Sequence, residues 1–150
     1  HQSILVDVFQ YMIGNTDWSA IRMHNMELVN LPRNEYATVP FDFDFSGIVD
    51  ARYARPDPSL REIRNVRQRL YRGLCPEQLN RSPGDYETVY QEFRDKKGEI
   101  YDLWRSQGGL DPERLEEALE YMEEFFEILD DPDEIRSKMM DDCRRFGQEN

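Results

Sequence analysis

The chain is short of the features that mark several large protein classes. It has two cysteines and two histidines among 150 residues, too few for a disulfide framework or for zinc-ligand spacing. Its 19 lysines and arginines are outnumbered by 31 aspartates and glutamates, and the formal charge is −12. Binding to a nucleic-acid backbone runs on excess Lys and Arg, so this balance argues against nucleic acid as the main partner. No apolar run approaches the roughly 20 residues that a membrane-spanning helix needs. No basic-then-apolar leader pattern is present. The chain instead starts inside an apolar periodic segment, as if a portion lay upstream. None of the serines sits in a nucleophile elbow, and no internal repeat is evident.

What is present suits one packed core. Hydrophobic residues make up 39% of the chain and aromatic residues 12%, which predicts a single domain over residues 1–150. Ile4, Leu5, Val8, Phe9, Met12 and Ile13 recur as one face of a helix, and Gly14-Asn15 ends it. A polar loop is expected from Asn15 to His24. Met26 to Val29 and Tyr36 to Phe45 read as two strands joined by a turn containing Pro32, a β-hairpin. The second strand would carry Phe41, Phe43 and Phe45 on one face and Asp42 and Asp44 on the other. Gly47 to Ser59 reads as a loop.

Four helices are expected after it. Ile63, Val66, Leu70 and Leu74 form one stripe, stopping near Pro76. Tyr86, Val89, Tyr90, Phe93, Ile100 and Trp104 form a second, read as core. Leu115 to Leu129 forms a third, with glutamates from Glu113 to Glu127 on its solvated face. Asp111-Pro112 and Asp131-Pro132 each pair a cap with a first-turn proline, and the last helix is expected to run to about Phe146. The predicted fold class is mainly α with a small β-hairpin. Cys75 and Cys143 close two helical stretches and read equally as a disulfide or as two buried thiols. The arginines from Arg52 to Arg72 are expected mostly to pair with internal acids, the alternative being recognition of an acidic or phosphorylated substrate.

The chemistry-bearing residues concentrate in one stretch. Asp17 lies in the loop after the first helix, His24-Asn25 opens the first strand, and Asp42 and Asp44 close the second. A hairpin brings its strand ends together, so Asp17, Asn25, Asp42 and Asp44 are expected to converge. Hard cations such as Mg²⁺ prefer such oxygen ligands. His24 is expected to be a hydrogen-bonding loop residue. A calcium loop starting at Asp42 has acids at positions one and three and Gly at six, but fails at position twelve, which is Tyr53.

The order Asp, Asn, then Asp on the far strand resembles the catalytic half of a protein-kinase-like fold, and most nearly the atypical kinases of the spore-coat CotH type. The resemblance rests on GNTDWS at Gly14 to Ser19, HN at His24-Asn25 and VPFDFDFSG at Val39 to Gly47. It implies a kinase-like C-lobe of α+β class, with Asp17 as catalytic base and Asn25, Asp42 and Asp44 as ligands of Mg²⁺ or Mn²⁺. The implied activity is transfer of the ATP γ-phosphoryl group to a hydroxyl on a protein or small-molecule acceptor. Asp17 and Asn25 stand eight positions apart here, where the common kinase loop has five. Asp44-Phe45-Ser46-Gly47 carries one more residue than the usual Asp-Phe-Gly. No glycine-rich loop and no strand lysine are present, so the N-lobe is expected to be absent from this chain and the fragment to be inactive alone. A lobe without its partner should expose apolar surface. The alternative is a pseudokinase-like binding or structural module without catalysis. The resemblance also leans toward an extracytoplasmic protein, and such exported relatives would favour the disulfide.

Overall fold

The computed structural model describes residues 1–32, 35–141 and 143–145. Helix α1 spans Gln2–Met12, strand β1 Met26–Leu31 and strand β2 Glu35–Pro40. Helices α2, Pro83–Arg105, and α3, Pro112–Asp130, follow. The short α4, Pro132–Ile135, continues into a widened turn over Arg136–Met140. The fold is α+β: mainly helical, with one two-stranded antiparallel sheet that pairs Met26 with Pro40 and Leu31 with Glu35. Among the described residues no helix is long and apolar enough to cross a membrane.

The helix starts follow from local chemistry. Ser82 donates its backbone N–H to Asp85 Oδ2 at 2.8 Å, with Pro83 at the first position of α2. Asp111 Oδ1 accepts from the Glu113 N–H at 3.0 Å and Asp131 Oδ1 from Asp133 at 2.9 Å, each just before a first-turn proline. These side chains occupy backbone donors that a helix leaves unpaired at its start. The predicted apolar stripes then close one core. Ile4, Val8 and Tyr11 of α1 pack with Val89, Tyr90 and Phe93 of α2 and with Met122, Phe125 and Phe126 of α3. Trp104, expected in this core, is half-buried and packs at its edge. The side chain of Gln2 mimics a neighbouring strand, exchanging hydrogen bonds with the backbone of Thr38 and fastening the hairpin to α1.

Two expectations need correction. The stripe from Ile63 to Leu74 is not a helix. Ile63 and Val66 are buried as predicted, but Asn65 Oδ1 accepts the Arg67 N–H at 3.0 Å and Gln68 Oε1 that of Arg64, local bonds that compete with helix formation. The second strand ends at Pro40 rather than Phe45, because Asp42 adopts φ +59° and breaks the alternation. Phe43 instead packs on Phe9 and Phe45 on Tyr53, while Phe41 is exposed. The loop from Asn15 to His24 is found where expected, with its start enclosed: Asn15, Thr16, Trp18 and Ser19 are buried, and Trp18 forms a second cluster with Val6 and Met26. The helical region at the C-terminus stops at Met140; Phe146 lies outside the described residues.

Cys75 and Cys143 form a disulfide across a sequence separation of 68. Beside it the backbone pairs as well: Cys75 N–H donates to Arg144 O and Arg144 N–H to Gly73 O, both at 2.9 Å. A cross-link closing a loop of that size is worth about 4 kcal/mol on the chain-entropy model. The double variant Cys75→Ala/Cys143→Ala should therefore lose about 4 kcal/mol of unfolding free energy in urea titrations. Reduction of the wild type should give the same shift.

A second prediction concerns Asp7, which points into the core from α1. Burial pushes its carboxyl up to about 7, against the opposing pull of Arg81. The folded chain then holds a proton between pH 4 and 7 that the unfolded chain has released. Stability should be greatest near pH 4 on this account and fall by up to about 4 kcal/mol as the pH rises through 7. In Asp7→Asn that fall should vanish, measured as urea midpoints across pH 4 to 8.

Candidate functional site

The site is built on a crossing of two glycines. Gly14 ends α1 at φ +65°, a conformation that only glycine adopts freely. Gly47 N–H donates to Gly14 O at 3.1 Å and Ile48 N–H to Ile13 O at 3.0 Å. A β-carbon on either glycine would overlap the phenol of Tyr121, and on Gly47 also the backbone oxygen of Val66. Tyr121 comes up from α3, and Arg69 stacks on its ring at 3.6 Å with Arg67 at 4.6 Å. Residues two apart cannot face the same way on a helix, which is a further reason the Arg64–Arg72 stretch is irregular. Arg69 also donates to the carbonyls of Tyr121 and Met12 and pairs with Glu124. The expectation that these arginines serve internal partners holds at Arg69.

From this crossing the chain runs to Asp17 on one side and back to Asp44 and Asp42 on the other. Asp17 is aimed by buried amides. Asn15 Nδ2 donates to Gln10 Oε1 at 3.0 Å, and Asn15 Oδ1 accepts the Asp17 N–H at 2.9 Å. Asn25 Nδ2 donates to Asp17 twice, to its backbone oxygen at 2.7 Å and to Oδ2 at 3.1 Å. His24 Nε2 stands 3.1 Å from Asp17 Oδ1, the hydrogen-bonding role expected of it. Asn25 and Asp42 both hold left-handed backbone, at φ +52° and +59°. Asn and Asp tolerate this better than other side chains with a β-carbon.

Asp42 and Asp44 face each other. A hydrogen bond with Asp44, reinforced by its charge, raises the Asp42 carboxyl above its ordinary range, and Asp17 adds to the effect. All four expected residues are thus brought to one end of the hairpin. Sequence reasoning missed Tyr53, whose hydroxyl donates to Asp44 Oδ2 at 2.9 Å; it sits where a calcium loop would need its last acid. Among the described residues no group of three or more His, Cys, Asp and Glu side chains is arranged to hold a metal. Asp17, His24, Asp42 and Asp44 thus form no such group, and the candidate ligand set is the Asn25 amide with the two carboxylates of Asp42 and Asp44. Its chemistry fits a hard cation: every donor is oxygen, and positive charge would relieve the repulsion from Asp44 that raises the Asp42 carboxyl.

A cavity of about 830 Å³ opens on the other side of Asp17. Asp17 and His24 line it, whereas Asn25, Asp42 and Asp44 do not. No protein-family model, no curated protein and no solved structure matches this chain.

The glycine crossing yields a direct test. Gly47→Ala should destabilise the fold by about 1–3 kcal/mol, the usual range for overpacking. It should also shift the NMR resonances of Asp17 and Asp44, while Gly98→Ala, on an α2 position with open space around it, should do neither.

Proposed function

We propose that this chain is the catalytic and metal-binding half of an atypical, CotH-like kinase, its C-lobe. The observation that carries the reading is the convergence of Asp17, Asn25, Asp42 and Asp44 at one end of the hairpin, with Asp17 bonded to Asn25. Asp17 would be the base: one of its oxygens would accept the proton of the acceptor hydroxyl, whose own oxygen would form the new bond to the γ-phosphorus as the bond to the departing ADP breaks. Asn25 fixes Asp17 through Nδ2 and offers Oδ1 to a cation. Asp42 and Asp44 are the carboxylate ligands. When bound, ATP supplies the γ-phosphoryl group and Mg²⁺ or Mn²⁺ the countercharge that phosphoryl transfer needs.

Exposed apolar side chains on the hairpin support the two-lobe reading. Leu28 and Tyr36 are exposed on one of its faces and Leu31 and Val39 on the other, with Phe41 exposed just beyond β2, apolar surface of the kind a missing N-lobe would cover. The disulfide suits an oxidising, extracytoplasmic compartment. The acceptor is a hydroxyl-bearing protein or small molecule. One observation favours the second reading, a pseudokinase-like module: Tyr53 already occupies an oxygen of Asp44.

Calorimetric titration of Mg²⁺ and Mn²⁺, with and without ATP, separates the two. The kinase reading expects binding that is lost in Asp42→Ala/Asp44→Ala and strengthened in Tyr53→Phe. In a protein carrying both lobes, Asp17→Ala should lower phosphoryl transfer by at least about 100-fold, the scale of a lost general base, with the fold unchanged by circular dichroism. Transfer near the wild-type rate would remove Asp17 from the mechanism.

A further inference from the structure

The cavity beside Asp17 has the opposite charge character to the chain that forms it. The protein carries a formal charge of −12. Yet Arg22, Arg61, Arg72, Arg144 and Arg145 line this one cavity, against the acids Asp17, Asp57 and Glu62. No lysine is among the lining residues. The arginines converge from separate parts of the sequence. Arg22 comes from the loop after Asp17, Arg61 and Arg72 from the irregular segment, and Arg144 from the segment that the disulfide holds and that bridges to Leu74. Three separate chain segments thus bring arginine to one wall. Arg22 and Arg72 lie within electrostatic reach of Asp57, whose carboxyl is held down first by hydrogen bonds from Ser59 and then by these arginines. The volume is that of a small-molecule site, and Trp18, Leu60 and Tyr71 give it buried apolar lining.

From this arrangement we infer that the cavity binds a small hydroxyl-bearing molecule through its oxyanion group, a phosphate or a carboxylate. The planar guanidinium fork matches both groups with paired hydrogen bonds. The inference rests on the proposed kinase reading in one respect: it makes the bound molecule the acceptor, its hydroxyl at Asp17 and its anionic group among the arginines. Binding itself needs neither metal nor ATP. It can therefore succeed or fail independently of catalysis.

The test uses three probes on one scaffold: glucose 6-phosphate, glucuronate and glucose. Each is titrated into the chain at low ionic strength by calorimetry, without metal or nucleotide. At least one anionic sugar should bind, and glucose should not. Binding of only one of the two assigns the oxyanion as phosphate or carboxylate. Arg22→Gln/Arg61→Gln, at two exposed positions, should weaken binding at least about 10-fold, the scale of a lost charge-assisted hydrogen bond. Lys96→Gln, on the far surface of α2, should leave it unchanged. Asp17→Asn should keep or tighten anion binding, since it removes a negative charge from the wall; loss of transfer in that variant concerns the kinase reading alone. The inference is overturned if neither anionic sugar binds, if glucose binds as well as they do, or if the double arginine variant binds them like the wild type.

Discussion

Tyr121 packed beneath two glycines is the contact on which the site depends. Its ring rises from the middle of α3 and meets Gly14 and Gly47 where their backbones cross. Arg69 covers the ring from above and ties it to the end of α1 through the Met12 carbonyl. Three elements distant in sequence are thereby locked at one point. Asp17 lies three residues after one glycine and Asp44 three before the other. The two halves of the acidic cluster therefore inherit their separation from the close approach of two backbones. Aromatic bulk on one side and absent β-carbons on the other set that approach, and close-packed interiors leave little slack for it to vary.

Helices α1, α2 and α3 were legible because their apolar residues repeat at helical spacing, and Asp-Pro marks the starts of α3 and α4. The hairpin was legible from its alternation and its turn. The Ile63–Leu74 stretch shows the limit of that reasoning. Its buried residues stand three apart, as on a helix, yet two arginines two residues apart both stack on Tyr121. Spacing alone does not reveal that a distant aromatic ring claims both. The convergence of Asp17, Asn25, Asp42 and Asp44 followed from hairpin geometry. The left-handed turn at Asp42, which aims it at Asp44, did not, since Phe41-Asp42-Phe43 reads equally well as strand. The arginine wall was least visible, because Arg22 and Arg144 come from regions with no local basic excess.

The fold also sorts its charges. Acids dominate the exposed face of α3, while several arginines point inward and serve carbonyls or a hydroxyl. Arg94 donates to the Leu129 carbonyl at the end of α3, Arg69 to those of Tyr121 and Met12, and Arg81 to the Ser3 hydroxyl. The Met12 and Leu129 carbonyls lie at helix ends, where they lack partners within the helix and a guanidinium also meets the negative end of the helix dipole. In a chain with so few basic residues, this placement spends arginine on architecture and on one cavity, and leaves the outside acidic.

The disulfide has a mechanical consequence. Cys75 lies just before the helical half of the chain and Cys143 just after it, so α2, α3 and α4 all sit within one covalent ring. Tension applied between the two ends of the protein would travel from α1 through the hairpin to residue 75, cross the sulfur–sulfur bond and leave at residue 143. The three helices would bear no load. A pulled molecule would surrender α1, the hairpin and the acidic cluster first and lengthen only by the residues outside the ring, keeping the aromatic bundle of α2 and α3 folded as a sheltered loop until the bond was reduced.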